Sequence, residues 1–196
     1  MRLSLPHNAH QGNAPLVLDL PEDWQVTYYP LPGDSWLPLS DADIRSRLEH
    51  PIGSLPLSQL ARGKKRVCIV FDDISRGTPT HRMARAVLDI LLESGVQKEN
   101  IEFLCALGTH GAHDLQDHIA KLGPDIVHEY PVYNHNCYEN TVSLGKTSRG
   151  VDVRINQEYV RADLRIGLGG DGRRIGVLAS DGLARLGESR SGQQAG

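Results

Sequence analysis

At 196 residues, with 21 basic against 24 acidic side chains and a formal net charge of −3, the chain lacks the cationic excess that nucleic acid or an anionic membrane surface selects. The length suits one core-bearing domain with a small appendage. Residues 1–14 are polar and no apolar run reaches a membrane span, so the reading is a cytoplasmic protein with neither a nucleic-acid nor a membrane partner.

The amino-terminal segment reads as β-rich. Leu16–Leu20 and Gln25–Tyr29 have strand character and are separated by Pro21; Pro30, Pro32 and Gly33 then break the pattern. Ser40, with Asp43 three positions on, predicts a helix start, and His50-Pro51 predicts its end. A short helix over Leu57–Arg62 leads to Lys64-Lys65-Arg66, read as a solvated strand entrance. From there strands and helices alternate. Val67–Phe71 and Ile101–Leu107 read as buried strands. Thr80–Ser94 sets Ala84, Val87, Leu88 and Leu91 on one helical face. Leu115, Ile119 and Leu122 predict the apolar stripe of the next helix, closed by Gly123-Pro124. The turn Ser148-Arg149-Gly150 reads as a hairpin connection, and the alternation over Val151–Asn156 predicts a strand with one wet face. Leu164–Leu168 is the last core strand.

This alternation predicts an α/β fold: an open, mostly parallel sheet flanked by helices, with a small amino-terminal β-rich segment. The domain spans residues 1–170. The remainder, 171–196, is a divergent tail in which Arg173–Leu186 reads as a weak helix interrupted by Gly176 and Gly182, with disorder expected from Gly187.

Two loops carry the candidate chemistry. Each follows a predicted buried strand, and in an open parallel sheet such loops face the ligand crevice. Asp73, Ser75, Arg76 and Thr78 combine an acceptor, hydroxyls and a guanidinium suited to carboxylate or phosphate. The same residues also suit an ordinary polar turn, with Thr80 as the helix cap and Asp73 accepting turn amides. Gly108-Thr109-His110 places a histidine able to move a proton near neutral pH, or simply a surface histidine before a helix. His113 would share a helix face with His110, but no carboxylate or thiolate completes a metal site at familiar spacing. His135 and Cys137 offer soft ligands within a stretch that equally suits a loop. Cys68 and Cys105 lie in apolar strands and read as buried reduced thiols. No metal-binding residue is assigned.

Six stretches, in order, resemble the lactate racemase family. They are His50-Pro51-Ile52-Gly53, Leu60–Lys64, Asp73–Pro79, Ala106–His110, Leu144–Gly150 and Ala162-Asp163-Leu164. The family comprises nickel-dependent racemases and epimerases of 2-hydroxy acids. The resemblance implies a nickel-pincer nucleotide cofactor and hydride transfer from and to the substrate carbon. It implies His110 as general acid/base on the substrate hydroxyl and Arg76 on an anionic group. It also implies cofactor contacts from Asp73, Ser75, Arg76, Thr78, Gly108 and Thr109.

The chain departs from the family pattern at two places. Gly77 stands where the family has proline. After Gly169-Gly170 the sequence runs Asp171-Gly172-Arg173-Arg174-Ile175-Gly176, without the Glu-x-His and Gly-Phe-Ser-Gly-Gly-x-Lys stretches. Those stretches and the family's second domain carry the second catalytic histidine, the lysine bonded to the cofactor and a nickel-ligating histidine. The expectation is a truncated, amino-terminal-only chain that is inactive alone and either self-associates or needs a second-domain partner. The alternative is a nucleotide- or phosphate-binding module, or one half of a split enzyme.

Overall fold

The computed structural model describes residues 1–5, 15–29, 37–170 and 175–180, the last stretch by its backbone alone. Its centre is a five-stranded sheet. The strands are β3 (Val67–Asp72), β4 (Ile101–Ala106), β5 (Val132–Asn134), β8 (Leu164–Gly170) and β9 (Ile175–Ser180), in the spatial order β5-β4-β3-β8-β9. β5, β4, β3 and β8 run parallel, and β9 closes the edge antiparallel to β8. The expected α/β architecture is therefore present.

The chain order explains where a site forms. From β3 the chain passes through α3 (Thr80–Glu93) to β4, then through α4 (Leu115–Leu122) and α5 (Pro124–Glu129) to β5, always moving toward one edge. It returns by way of β6 (Thr141–Lys146), β7 (Asp152–Asn156) and α6 (Gln157–Arg161), and sets β8 on the other side of β3. The direction of travel thus reverses at β3, and the crevice beyond the carboxyl end of such a strand is the usual ligand position in this architecture.

One sheet face carries the main core. Ile69, Phe71, Phe103 and Ile166 pack there against Val87, Leu88 and Leu91 of α3 and against Leu122 and Ile126, with α1 (Asp41–Glu49) and α2 (Leu57–Ala61) adding Leu48, Leu57 and Leu60. The opposite face holds a smaller cluster of Cys68, Leu104 and Ala162, with Val70 and Tyr159 against it. Burial on both faces is why β3 reads as a nearly unbroken apolar run. Ser40 caps α1 through a capping box with Asp43, as its sequence predicts. Cys68 and Cys105 are buried and free. Among the described residues no helix is long and apolar enough to cross a membrane.

Several expectations need correction. Gln25–Tyr29 is not a strand; β2 (Leu16–Asp19) pairs instead with β1 (Arg2–Leu5), fastened by the Arg2–Asp19 ion pair at 2.8 Å. With that edge taken, the aromatic run after Pro21 has no described strand to join. Leu115 is exposed: Asp114 caps α4, so Leu115 opens the first turn and the buried face falls on His118, Lys121 and Leu122. The β6–β7 hairpin pairs with no other described strand, and Val151 and Val153 are exposed as well as their polar neighbours. Within the stretch read as a weak helix, residues 175–180 form β9, because the open edge of β8 offers a ladder of partners that a glycine-interrupted helix cannot match. The tail from Gly187 lies outside the described residues.

Candidate active site

Asp73 is the first residue beyond β3, and its carboxylate organises the loop. Oδ1 accepts the Ser75 amide at 2.8 Å and the Ser75 hydroxyl, while the Asp73 carbonyl accepts the Arg76 amide at 3.1 Å. This is an aspartate-stabilised turn. On the neighbouring strand β4, the exit turn runs from Leu107 to His110, closed by the His110 amide donating to the Leu107 carbonyl at 3.0 Å. Gly108 makes it possible, with a left-handed φ of 60° that a side chain would resist. The turn carries the His110 ring over to Asp73, with Nδ1 to Oδ2 at 2.7 Å.

The pair is asymmetric. The Asp73 side chain is 7% exposed and that of His110 57%. Burial pushes the Asp73 carboxyl up, but the hydrogen bonds from Ser75 and His110 outweigh it and hold it below the usual carboxylate range. An ionised Asp73 accepts only, so His110 Nδ1 carries the proton that points at it. In the neutral ring Nε2 is then a lone pair, free to take a proton from a ligand in the crevice. A buried carboxylate that fixes the tautomer of an exposed imidazole is the arrangement of a general base with its orienting group.

A second carboxylate lies beneath the loop. Asp72, the last residue of β3, accepts the Thr78 hydroxyl and the Thr80 hydroxyl at 3.3 Å, and forms an ion pair with the Lys121 ammonium at 2.8 Å. Lys121 also donates to the carbonyls of Arg76 at 2.7 Å and Thr78 at 3.5 Å. Thr80 is thus not the helix cap: its hydroxyl turns toward Asp72, and Pro79 occupies the cap position without a side-chain bond. On the other flank, Asn134 holds the backbone of His113, accepting from its amide at 3.3 Å and donating to its carbonyl at 2.8 Å. The His113 ring turns inward, where Nε2 accepts the Ile74 amide at 3.5 Å and Nδ1 faces Cys105 Sγ at 3.5 Å. Residues 107–114 precede α4, so His110 and His113 share no helix face. Among the described residues no group of three or more His, Cys, Asp or Glu is placed to hold a metal.

The candidates from sequence therefore divide. Asp73 and His110 meet. The hydroxyls of Ser75 and Thr78 are engaged with Asp73 and Asp72. Arg76 is exposed on the bend and its guanidinium has no partner among the described residues; Gly108 and Thr109 are exposed in the turn before His110. Asp72, Lys121 and Asn134 were not singled out from sequence. Only Lys121 left a signal: a lysine one position from Leu122 and three from His118 lies on the buried side of an amphipathic helix.

Comparison with known proteins agrees with this architecture. Residues 11–171 match the lactate racemase N-terminal domain. The lactate racemase of Thermoanaerobacterium thermosaccharolyticum is 33% identical over 165 residues, which is 81% of this chain and 38% of that protein. That of Lactiplantibacillus plantarum is 32% identical over 128 residues, 64% of this chain and 30% of that protein. The structure of the T. thermosaccharolyticum lactate racemase apoprotein superimposes with a TM-score of 0.61 at 28% identity, covering 85% of this chain and 38% of that one. The chain thus spans 30–38% of the length of these relatives. With the domain match running from before β2 to the end of β8, the chain belongs to the lactate racemase N-terminal domain family.

Proposed function

We propose that this chain supplies the proton-transfer half of a 2-hydroxy-acid racemase or epimerase site, in a cytoplasmic protein. The observation that carries the reading is the Asp73–His110 pair at 2.7 Å, buried at the carboxylate and open at the imidazole. His110 Nε2 takes the proton of the substrate's 2-hydroxyl and returns it later. Asp73 keeps the ring in the required tautomer and offsets the imidazolium charge that forms. Arg76 is the group for the substrate carboxylate, since a guanidinium meets a carboxylate through two parallel hydrogen bonds.

In the family a nickel-pincer nucleotide supplies the hydride chemistry at the substrate carbon. The described residues fit its anionic end and not its metal. Arg76 and the Gly77 amide offer donors to a phosphate, the Ser75 and Arg76 amides being given to Asp73, whereas no described cluster offers nickel its ligands. No step is therefore assigned through the cofactor, and turnover is expected to need groups from outside these two loops.

The reading is tested by binding. Titration of the ¹⁵N-labelled protein with L-lactate, D-lactate and propionate at constant ionic strength should move the Arg76 and His110 resonances. Lactate should bind more tightly than propionate, which lacks the hydroxyl, and His110→Ala should abolish that preference. Arg76→Ala should remove both. Equal binding of lactate and propionate, or binding untouched by Arg76→Ala, overturns the proposal.

A further inference from the structure

Lys121 does more than neutralise Asp72. Its ammonium side chain is 4% exposed, and it lies 2.7 Å from the Arg76 carbonyl oxygen. A peptide unit is planar and trans, with its C=O and N–H pointing in opposite directions. Fixing the Arg76 carbonyl onto a buried ammonium therefore turns the N–H of the same unit, which belongs to Gly77, away from the interior. Gly77 is exposed, and its N–H has no partner among the described residues. Nor does the backbone demand glycine there, because Gly77 is not among the glycines with positive φ. What residue 77 contributes is an N–H, held outward beside the exposed side chain of Arg76.

We infer that Lys121 is a positioning residue that presents the Gly77 N–H as a second donor, next to the Arg76 guanidinium, for an oxyanion bound at this loop. The ligand chemistry is a carboxylate or phosphate oxygen. The inference rests on the proposed reading that the loop after β3 meets an anion, and it adds the donor and the residue that aims it. Lys121 itself touches no ligand. Its ammonium is ion-paired with Asp72 and donates to the carbonyls of Arg76 and Thr78, so its influence passes through the loop backbone.

The test is a titration of ¹⁵N-labelled protein with inorganic phosphate and, separately, with L-lactate, sodium chloride holding the ionic strength constant. The Gly77 amide and the Arg76 side-chain resonance should shift saturably with at least one of them, and the arm that saturates identifies the anion. Gly77→Pro removes the N–H from a position where the family pattern accepts proline; it should weaken binding about tenfold, the worth of one hydrogen bond to a charged group. Gly77→Ala keeps the N–H and should stay within about twofold of the parent. Lys121→Met should weaken binding as Gly77→Pro does and should move the Gly77 amide resonance before any anion is added.

If the parent binds but Gly77→Pro binds as tightly, the inference falls while the anion-binding loop stands. If neither anion moves Arg76 or Gly77, both fall. Should circular dichroism show that Lys121→Met does not fold, the proline and alanine variants at residue 77 decide alone.

Discussion

Replacing Lys121 with methionine gives the sharpest stability test of the network under the loop. The substitution removes an ammonium 2.8 Å from Asp72 Oδ1 and strands the Arg76 carbonyl oxygen, while the Thr78 carbonyl keeps the Thr80 amide at 2.8 Å. Breaking a buried ion pair by deleting one partner costs about 3–5 kcal/mol, because the remaining charge stays desolvated. Asp72 is 16% exposed and keeps the hydroxyls of Thr78 and Thr80, which argues for the lower end, about 3 kcal/mol. In a chain of this size that is a fall of about 6–12 °C in Tm. The double variant Lys121→Met with Asp72→Asn removes the stranded charge and should recover about 2 kcal/mol of the loss. Urea denaturation followed by circular dichroism, run as a double-mutant cycle, measures both numbers. A single variant within about 0.5 kcal/mol of the parent, or a cycle without coupling, would refute the assignment of this pair as the support of the loop.

Burial, with His113 beside it, holds His118 below its ordinary value of 6.5, and its Nδ1 is buried without a partner among the described residues. The unfolded chain therefore takes up that proton first. This part of the stability is complete above about pH 6.5 and is lost as the pH falls toward the lower folded value, so His118→Phe should flatten the urea midpoint between pH 7 and about pH 5. Asp73 has the carboxylate sign: its lowered value stabilises the fold above about pH 4, and that contribution disappears as the pH drops through the folded value, so Asp73→Asn should shift the acid transition upward. Burial pushes the thiols of Cys68 and Cys105 up to about 12, so an aromatic disulfide reagent should titrate only half-buried Cys137 in the native protein and all three thiols in urea. Gly123 has φ of 85°, and a Cβ there would lie 2.6 Å from the His81 ring, so Gly123→Ala should cost about 1–3 kcal/mol in a thermal melt.

What the sequence disclosed follows the range of the forces involved. Strands buried on both faces and helices with one apolar face write their periods into the chain, so β3, β4, α3 and β8 were legible within a residue or two. Capping is also local, and the Ser40–Asp43 box could be read directly. Asp73 and His110 were each visible at the exit of a strand. That they face one crevice on adjacent parallel strands follows from the alternating pattern; their hydrogen bond does not, because it depends on a left-handed Gly108. Lys121 showed only in its place on the buried side of α4. A lysine on a helix is ordinarily solvated, and only the depth of Asp72 beneath the loop makes burial favourable. The strand over 175–180 was misread because glycines weaken a helix visibly in sequence, whereas an open sheet edge appears only in three dimensions.

The geometry separates two tasks that sequence alone merges into one polar loop. Half-buried Asp72 and buried Lys121 fix the path of the chain from Asp73 to Thr80. Asp73 stands at the boundary, with its carboxylate enclosed and its second oxygen given to His110. Arg76, Gly77 and His110 are exposed, and each offers a hydrogen-bond donor or a proton carrier. Such an ordering matters for proton transfer, because an exposed base is useful only if its tautomer and direction are set before the ligand arrives. Here both are set from below: the tautomer of His110 by a carboxylate that stays ionised, and the direction of the bend by an ammonium that never reaches solvent. Arg76→Ala and Lys121→Met should therefore part company. The first removes a ligand contact and leaves the melting temperature within about 1 °C, as expected of an exposed side chain without a described partner. The second lowers stability and anion affinity together. Equal loss of stability in the two variants would mean that Arg76 belongs to the scaffold rather than to the site.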